Sequence, residues 1–298
     1  MNILVSGASG FIGTELVRQL EADGHTVVRL VRRAPKNSFE SQWDPAARTV
    51  DSAAVDAADA VINLAGVPTG RVPWTRGYEQ QILQSRLDTT STLVAAIAAA
   101  GNAPHTLING SAVGIYGDRP AERLTETSTK GTGILADVTE KWEAAAQGLP
   151  DSTRLVLPRT GLVVGRGGAF TPLVALTRFG LGSRLGTGGQ HWPWISLFDE
   201  AAAFRHLLTS SLAGPVNLAG PVPATSDRIT RYLAEQMHRW YTFALPEIVI
   251  RRVLGHAGEE LLLPSQLVVP DLLIADGFVF RDATVEVAMD RELFGRAQ

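Results

Sequence analysis

Cysteine is missing from this sequence of 298 residues. Its absence excludes disulfide bonds, catalytic thiolates and zinc sites built on cysteine. The six histidines show no His-x-x-x-His spacing and no Asp-rich ligand pattern, so we expect no metal. No apolar run reaches about 18 residues, the length of a membrane-spanning helix, and the first residues read as a strand rather than a signal peptide. We therefore expect a cytoplasmic protein with no membrane partner.

Few residues are charged: the charged fraction is 19%, and the net charge is −3 at pH 7. This balance argues against nucleic acid as the main partner. Lysine is scarce, since only Lys36, Lys130 and Lys141 are present. A hydrophobic fraction of 45% over this length allows one large α/β domain, or one domain with a smaller lobe. Either a monomer or a homodimer is compatible with the sequence.

A glycine turn near the start of the chain is the most informative motif. Residues 2–6 read as a strand, Gly7, Gly10 and Gly13 follow at once, and a helical pattern begins by Thr14. In such a turn Gly7 permits a tight bend, Gly10 lets the backbone approach a pyrophosphate, and Gly13 lets helix and strand pack closely. The helix N-terminus presents unpaired N–H groups to the phosphates. The turn predicts a dinucleotide site, with a purely structural βα turn as the alternative.

Strands and helices alternate over the first 110 residues, which implies a doubly wound parallel sheet. We predict an α/β fold with a Rossmann sheet and a smaller C-terminal α+β lobe. The NADP-binding Rossmann domain would span residues 1–220, and a substrate-side or lid region would span residues 221–298. The predicted early elements are strands at Asn2–Ser6, Thr26–Val31, Ala60–Leu64 and Thr106–Asn109, and helices at Phe11–Glu21 and about Tyr78–Ala100.

The end of the second predicted strand indicates which cofactor is preferred. NAD sites place an Asp or Glu there to accept hydrogen bonds from the ribose hydroxyls. Here that position is Val31, and Arg32 and Arg33 follow. Arginines suit a 2′-phosphate, whereas a carboxylate would repel it. The pattern predicts NADP as cofactor, unless both arginines are solvated surface charges.

The GxxGxxG spacing of the turn resembles the opening of extended short-chain dehydrogenases/reductases, the group of nucleotide-sugar epimerases and dehydratases. Asn63-Leu64-Ala65-Gly66 resembles the Asn-x-Ala-Gly turn that lies along the adenosine side of the cofactor in that superfamily. The resemblance also implies that Arg86, on the following helix, lies near the nicotinamide ribose. The alternative for Arg86 is an ordinary cation on the helix surface.

Thr106–Gly117 resembles the strand that carries the catalytic serine in extended members, which implies that role for Ser111. In that group a tyrosine transfers the proton, and a lysine four residues later lowers its pKa. No such pair exists here, because none of the four tyrosines is followed by lysine at that spacing; these tyrosines are Tyr78, Tyr116, Tyr232 and Tyr241. An ordinary short-chain dehydrogenase mechanism is therefore not expected.

Two residues are candidates for the missing proton donor. Tyr116 follows Ser111 closely, and the alternative is a packed aromatic residue with its hydroxyl in water. Asp137 and Lys141 are four residues apart, so they share a helix face and could act as an acid/base pair, or form an ordinary surface salt bridge.

Further motifs resemble one atypical epimerase branch, whose members lack the Tyr-xxx-Lys pair and carry a short C-terminal domain. The motifs are Lys-Trp-Glu-Ala-Ala (141–145), Arg-Thr-Gly-Leu-Val-Val-Gly-Arg-Gly-Gly (159–168), Phe-Gly-Leu-Gly (179–182), Gly-x-Gly-x-Gln-x-x-x-Trp-Ile (186–195) and Gly-Phe-x-Phe (277–280). The branch implies that Thr160 to Val163 line the nicotinamide end. Ser196 replaces the usual histidine of this branch, so no titrating imidazole is present there.

We therefore expect an NADP(H)-binding protein of the epimerase branch that transfers hydride to or from an unknown small polar substrate. A non-catalytic NADP(H)-binding regulatory or redox-sensing module is the alternative. The candidate catalytic residues are Ser111, Tyr116 and Asp137. The candidate cofactor-binding residues are Gly7, Ser9, Gly10, Phe11, Ile12, Gly13, Arg32, Arg33, Leu64, Ala65, Gly66, Arg86, Thr160, Gly161, Leu162 and Val163.

Overall fold

The computed structural model describes residues 1–296, so the last two residues of the predicted C-terminal region, 297 and 298, lie outside the described residues. The strands are, in chain order, β1 (Asn2–Ser6), β2 (Thr26–Val31), β3 (Glu40–Asp44), β4 (Thr49–Val50), β5 (Ala60–Asn63), β6 (Thr106–Asn109), β7 (Ser111–Ala112), β8 (Arg119–Leu124), β9 (Arg154–Thr160), β10 (Leu162–Val164), β11 (Arg184–Leu185), β12 (His191–Trp192), β13 (Trp194–Ser196), β14 (Gly214–Leu218), β15 (Ala224–Thr225), β16 (Ala244–Leu245) and β17 (Gln266–Val268).

Helices follow most of the long strands. They are α1 (Phe11–Ala22), α2 (Ser52–Asp56), α3 (Arg76–Ala99), α4 (Ile134–Ala145), α5 (Phe170–Arg178), α6 (Leu197–Thr209), α7 (Ser226–Gln236), α8 (Glu247–Leu254), α9 (His256–Leu261), α10 (Asp271–Ala275) and α11 (Val285–Glu292), with a short 3₁₀ helix at Val113–Tyr116. Among the residues that the structure describes, no helix is both long and apolar enough to cross a membrane.

Nine strands form the central sheet, in the order β14-β9-β6-β5-β1-β2-β3-β4 with the short β7 also beside β9. All neighbours are parallel except β3 and β4. The carboxyl ends of parallel strands meet at one edge, so Ser6, Asn63, Asn109 and Thr160 lie along the same edge of the sheet. The predicted doubly wound α/β fold is confirmed.

Alternating side chains of the strands build a core on each face of this sheet. Ile3 and Val5 of β1 pack with α1 and α6 on one face, where Leu16 and Phe204 are fully buried. Leu4, between them in sequence, packs on the other face with α3. This alternation follows from the two-residue period of a strand, and it fixes which side chains each helix meets at the carboxyl edge.

A third core lies in the later part of the chain. It joins Val164, Phe170 and Trp194 to Ile229 and Met289, all buried. It therefore draws on segments before residue 221, where the domain boundary was predicted, as well as after it. The intervening chain leaves the sheet after β9 and returns through α6 to β14.

Candidate functional site

The glycine turn after β1 is built so tightly that two of its positions leave no room for a side chain. Gly7 has a φ of +69°, and a Cβ there would lie 2.7 Å from the backbone of Leu64 at the end of β5. A Cβ on Gly13 would lie 2.2 Å from the carbonyl oxygen of Gly7. Glycine is therefore required at both positions, once for the bend and once for close packing of α1 on the turn.

The N-terminus of α1 faces outward without a side-chain cap. Gly10 is the N-cap residue and supplies no side chain, and both Ser9 and Gly10 are exposed. The first N–H groups of a helix have no partner within the helix. Those of Phe11 and Ile12, which are partly exposed, are consequently available to an anionic group at the positive end of the helix dipole.

The ring of Phe11 is covered by part of the glycine-rich segment after β10. A Cβ added to Gly165 would lie 2.6 Å from that ring, and one added to Gly167 would lie 2.5 Å from it. These glycines therefore allow the backbone to approach a side chain of the same protein. The contact fixes the segment beside the start of α1.

The two arginines after β2 have different surroundings. Arg33 forms a bidentate ion pair with Glu40, with N–O distances of 2.6 and 2.7 Å. The hydrogen bond from Arg33 is the main reason why the pKa of Glu40 falls to about 2. Arg32 is exposed and forms no ion pair within residues 1–296. Arg32 is therefore the guanidinium that is free to meet a ligand at this edge.

Arg86 of α3 is a half-buried cation with no carboxylate partner among the described residues. Its Nη1 donates to the carbonyl oxygens of Val67 and Ile82, at 3.1 and 2.9 Å, and its guanidinium lies 4.9 Å from the ring of Trp142. It lies against the exposed Gly66, where an added Cβ would be 3.5 Å from its side chain. Burial lowers the pKa of Arg86 to about 10. An anionic ligand beside Arg86 would stabilise this partly buried positive charge.

A buried polar network holds the ends of β1, β5 and β6 together beneath this edge. Ser6 Oγ donates to Asn63 Oδ1 at 2.5 Å, and Asn63 Nδ2 donates to Asn109 Oδ1 at 2.7 Å and to Thr90 Oγ1 at 3.2 Å. All four side chains are fully buried. They fix the Leu64-Ala65-Gly66 turn rather than facing a ligand.

Ser111 and Tyr116 are linked through Glu143 and Arg159 in a second, largely buried network. Ser111 Oγ donates to Glu143 Oε1 at 2.5 Å, and Arg159 holds the same carboxylate through two N–H donors at 2.9 and 3.0 Å. Arg159 also donates to the hydroxyl of Tyr116 at 2.9 Å, and that hydroxyl donates to Asn217 Oδ1 at 2.6 Å. The hydroxyls of both predicted catalytic residues are therefore already bonded inside the protein.

The burial of Tyr116 argues against its predicted role as a proton donor. Its side chain is 0% exposed, and burial raises the pKa of its hydroxyl. Ser111 is buried too, at 3% exposure. Tyr116 is a packed aromatic residue in this structure, but its hydroxyl bonds to Arg159 and Asn217 and does not face water.

Asp137 does not join the hydrogen-bond network of Ser111 and Tyr116 in the described chain. Its side chain is 60% exposed and forms an ion pair with Lys130 at 2.6 Å. The predicted pair with Lys141 is wrong, because Lys130, at the loop before α4, reaches Asp137 instead.

Thr160 ends β9 at the carboxyl edge, and it has a partner that sequence inspection missed. Its hydroxyl donates to Oε1 of Glu200, in the first turn of α6, at 2.7 Å. Glu200 is 0% exposed, and burial raises its pKa to about 8. The chain then turns at Gly161, where an added Cβ would lie 2.1 Å from the carbonyl oxygen of Pro193, and Leu162 and Val163 pair with β13.

Known proteins similar to this chain belong to an epimerase family. Residues 3–139 match the NAD dependent epimerase/dehydratase family, and residues 245–292 match a domain of unknown function, DUF1731. An epimerase family protein of Mycobacterium bovis is 40% identical over 290 residues, which cover 96% of each chain. This chain belongs to the epimerase family. The predicted resemblance to an epimerase branch with a short C-terminal domain is confirmed.

Solved structures of other proteins show the same fold as this epimerase family chain. The human epimerase family protein SDR39U1, crystallised with NADPH, has a TM-score of 0.89 at 30% identity, and the match covers 99% of this chain and 100% of the human one. UDP-glucose 4-epimerase of Thermus thermophilus, in complex with NAD, has a TM-score of 0.73 at 22% identity. The second likeness concerns the fold alone.

Proposed function

We propose that this epimerase family protein binds NADP(H) across the carboxyl edge of the sheet. The observation that carries the proposal is the turn at Gly7, Gly10 and Gly13, which leaves the N-terminus of α1 exposed and uncapped. A pyrophosphate fits such a helix end because several N–H donors converge on it. The human relative that was crystallised with NADPH supports the same conclusion.

Arg32 would bind the 2′-phosphate that distinguishes NADPH from NADH. It follows β2, where a ribose-binding acid would otherwise lie, and no carboxylate pairs with it among residues 1–296. Arg33 was predicted to share this role, but its guanidinium is held by Glu40. In the proposal Arg33 neutralises Glu40, so that this carboxylate does not repel the phosphate.

In the proposal the remaining predicted contacts would lie along the rest of the same edge. Leu64 to Gly66 would lie along the adenosine side, and Thr160 to Val163 would lie at the nicotinamide end. Arg86 would supply a positive charge between them, because it is partly buried and lacks a carboxylate partner in the described chain. When bound, the nicotinamide would supply a hydride donor or acceptor.

Within this proposal a non-catalytic NADP(H)-binding module is favoured over an oxidoreductase that uses Ser111, Tyr116 and Asp137. Ser111 and Tyr116 are buried with their hydroxyls bonded, and Asp137 lies on an exposed helix face. Such a module would act by binding a partner with different affinity in its different nucleotide states.

Calorimetric titration with NADPH and NADH tests the proposal. Replacing Arg32 by Ala should weaken NADPH binding roughly 5- to 30-fold. This range corresponds to the loss of about 1–2 kcal/mol of binding free energy, which is typical of a partly exposed charged contact. NADH binding should stay the same, because NADH has no 2′-phosphate.

The matched control is the double variant Arg33→Ala/Glu40→Ala. It removes a neighbouring arginine and its carboxylate partner together, so the net charge is unchanged. It should keep the preference for NADPH. Equal loss of NADPH affinity in the control and in Arg32→Ala would contradict the assignment of Arg32.

A further inference from the structure

Glu200 is a buried acid with an unsatisfied oxygen. Its Oε1 accepts the hydrogen bond from Thr160, but its Oε2 has no hydrogen-bond partner. An isolated carboxylate would be costly at a site with no exposure. A second partner is therefore needed in one of two forms, a proton on the carboxyl group or a water molecule.

The protonation state of Glu200 limits what the Thr160 hydroxyl can do on its other side. A hydroxyl has one proton to donate and two lone pairs to accept with. When Glu200 is ionised it can only accept, so Thr160 must donate its proton inward and can only accept from a ligand. When Glu200 is protonated it can donate to Thr160, which frees the Thr160 proton for a ligand.

Thr160 lies at a place where the direction of its hydrogen bond would affect binding of the cofactor. It is half-buried rather than buried, and it ends β9 immediately before Gly161, at the edge where the nicotinamide end is proposed. A nicotinamide carboxamide has both an acceptor oxygen and a donor nitrogen. The direction of the Thr160 hydroxyl therefore selects which of these two groups it can bind.

We propose that Glu200 is a positioning residue, which acts through Thr160 to set the direction of its hydrogen bond toward the nicotinamide carboxamide. This inference rests on the proposed function, because it requires NADP(H) at this edge. Burial supports it by raising the pKa of Glu200 to about 8, with the Thr160 hydrogen bond opposing that rise.

The hydrogen bond from Thr160 is the polar contact of Glu200 in the described chain, and no charged side chain there pairs with it. Within the described chain no ion pair reaches Glu200, and β6, β10 and β13, which pack on α6, carry no titratable side chain. On α6 itself the titratable side chains besides Glu200 are Asp199, Arg205 and His206; the helix and strand packed on it contribute Glu15, Arg18 and Glu21 of α1 and Arg154 and Arg159 of β9. Asp23 and Asp276 pair with Arg205 and His206, and Arg281 and Asp282 lie against Asp199. Asp199 is held separately by Ser196 and by backbone N–H groups of Arg281 and Asp282.

The test is the affinity for NADPH measured by calorimetry between pH 7 and 9. This range lies above the second ionisation of a phosphate, at pH about 6. Wild type should change its affinity about 3- to 10-fold across the range, the value of one hydrogen bond. Glu200→Gln cannot ionise, so its affinity should stay nearly constant.

Variants of Thr160 keep the inference testable if Glu200→Gln does not fold. Thr160→Val, which lacks the hydroxyl, should lose the pH dependence, and Thr160→Ser, which retains it, should restore it. Glu235→Gln, a change to an exposed acid of α7, is the charge control and should behave like wild type.

The outcomes separate this inference from the proposed function. If wild type binds NADPH but shows the same pH dependence as Glu200→Gln and Thr160→Val, the positioning role is wrong and the cofactor assignment stands. If wild type does not bind NADPH at any of these pH values, both are wrong.

Discussion

Replacing Glu200 by Gln should stabilise the protein above pH 5, independently of any ligand. The pKa of Glu200 is raised from an ordinary value of 4.5 to about 8 in the folded state. An acid with a raised folded pKa binds more protons folded than unfolded between these two values. Its stabilising effect is complete below the unfolded pKa and is lost as the pH rises toward the folded pKa.

The magnitude follows from the size of this interval. Each pH unit within it lowers the free energy of unfolding by about 1.4 kcal/mol. At pH 7 the accumulated loss is roughly 3 kcal/mol, and above pH 8 it approaches about 5 kcal/mol. Gln retains a carbonyl oxygen for Thr160 but does not ionise, so this pH-dependent loss should disappear.

Urea denaturation followed by circular dichroism at pH 5, 6, 7 and 8 would measure the effect. The free energies of wild type and Glu200→Gln should be similar at pH 5 and diverge progressively, with the variant more stable at pH 8. Glu235→Gln should follow wild type at every pH. Parallel curves for wild type and Glu200→Gln would contradict this prediction, because they would mean that Glu200 titrates alike in the folded and unfolded states.

Three other substitutions probe the glycine turn, the Arg86 cation and the Ser111 network. Gly13→Ala should abolish NADPH binding in calorimetry and lower the free energy of unfolding by about 1–3 kcal/mol, because the added methyl group overpacks the turn. Gly101→Ala is the control and should be nearly neutral, because no atom lies within 4 Å of the added Cβ. Equal loss of stability in the two variants would contradict the close packing at Gly13. Arg86→Met should weaken NADPH binding roughly 10- to 100-fold without lowering the free energy of unfolding, and a destabilised variant with normal affinity would make Arg86 structural. Ser111→Ala should leave NADPH affinity unchanged and lower stability by about 1–3 kcal/mol, because Glu143 loses a donor, whereas a large loss of affinity would place Ser111 in the cofactor site.

Much of the Rossmann sheet could be predicted from local sequence patterns. The predicted strands Asn2–Ser6, Thr26–Val31 and Thr106–Asn109 have the bounds observed, because they are apolar runs followed by a turn or a helix. The strand Glu40–Asp44 was not predicted. It is mostly polar, and only Ser41 and Trp43 are buried, so hydrophobicity alone gives little sign of it.

The position of the candidate site was predictable, whereas the partners of its residues were not. The spacing of Gly7, Gly10 and Gly13 is a local signal and requires no knowledge of the fold. By contrast, Ser111 bonds to Glu143, and Thr160 to Glu200, across 32 and 40 residues of chain. These contacts depend on which helices meet the carboxyl edge of the sheet. Sequence spacing therefore could not reveal that Ser111 is already engaged.

Arg33 and Asp137 show the same limit at shorter range. Arg33 lies seven residues before Glu40, and Asp137 lies seven residues after Lys130. Neither separation is one of the regular spacings that bring side chains together on a helix, and each pair is formed through a loop. The position of Arg33 after β2 predicted a contact with the ligand, but the carboxylate of Glu40 already pairs with its guanidinium.

The most direct test of the central claim is calorimetric titration of the wild-type protein with NADPH and NADH under the same conditions. We expect one NADPH site per chain, with clearly weaker binding of NADH because the contact of Arg32 with the 2′-phosphate is missing. Failure of both nucleotides to bind would contradict the proposed cofactor site, and equal affinity for both would contradict the role of Arg32.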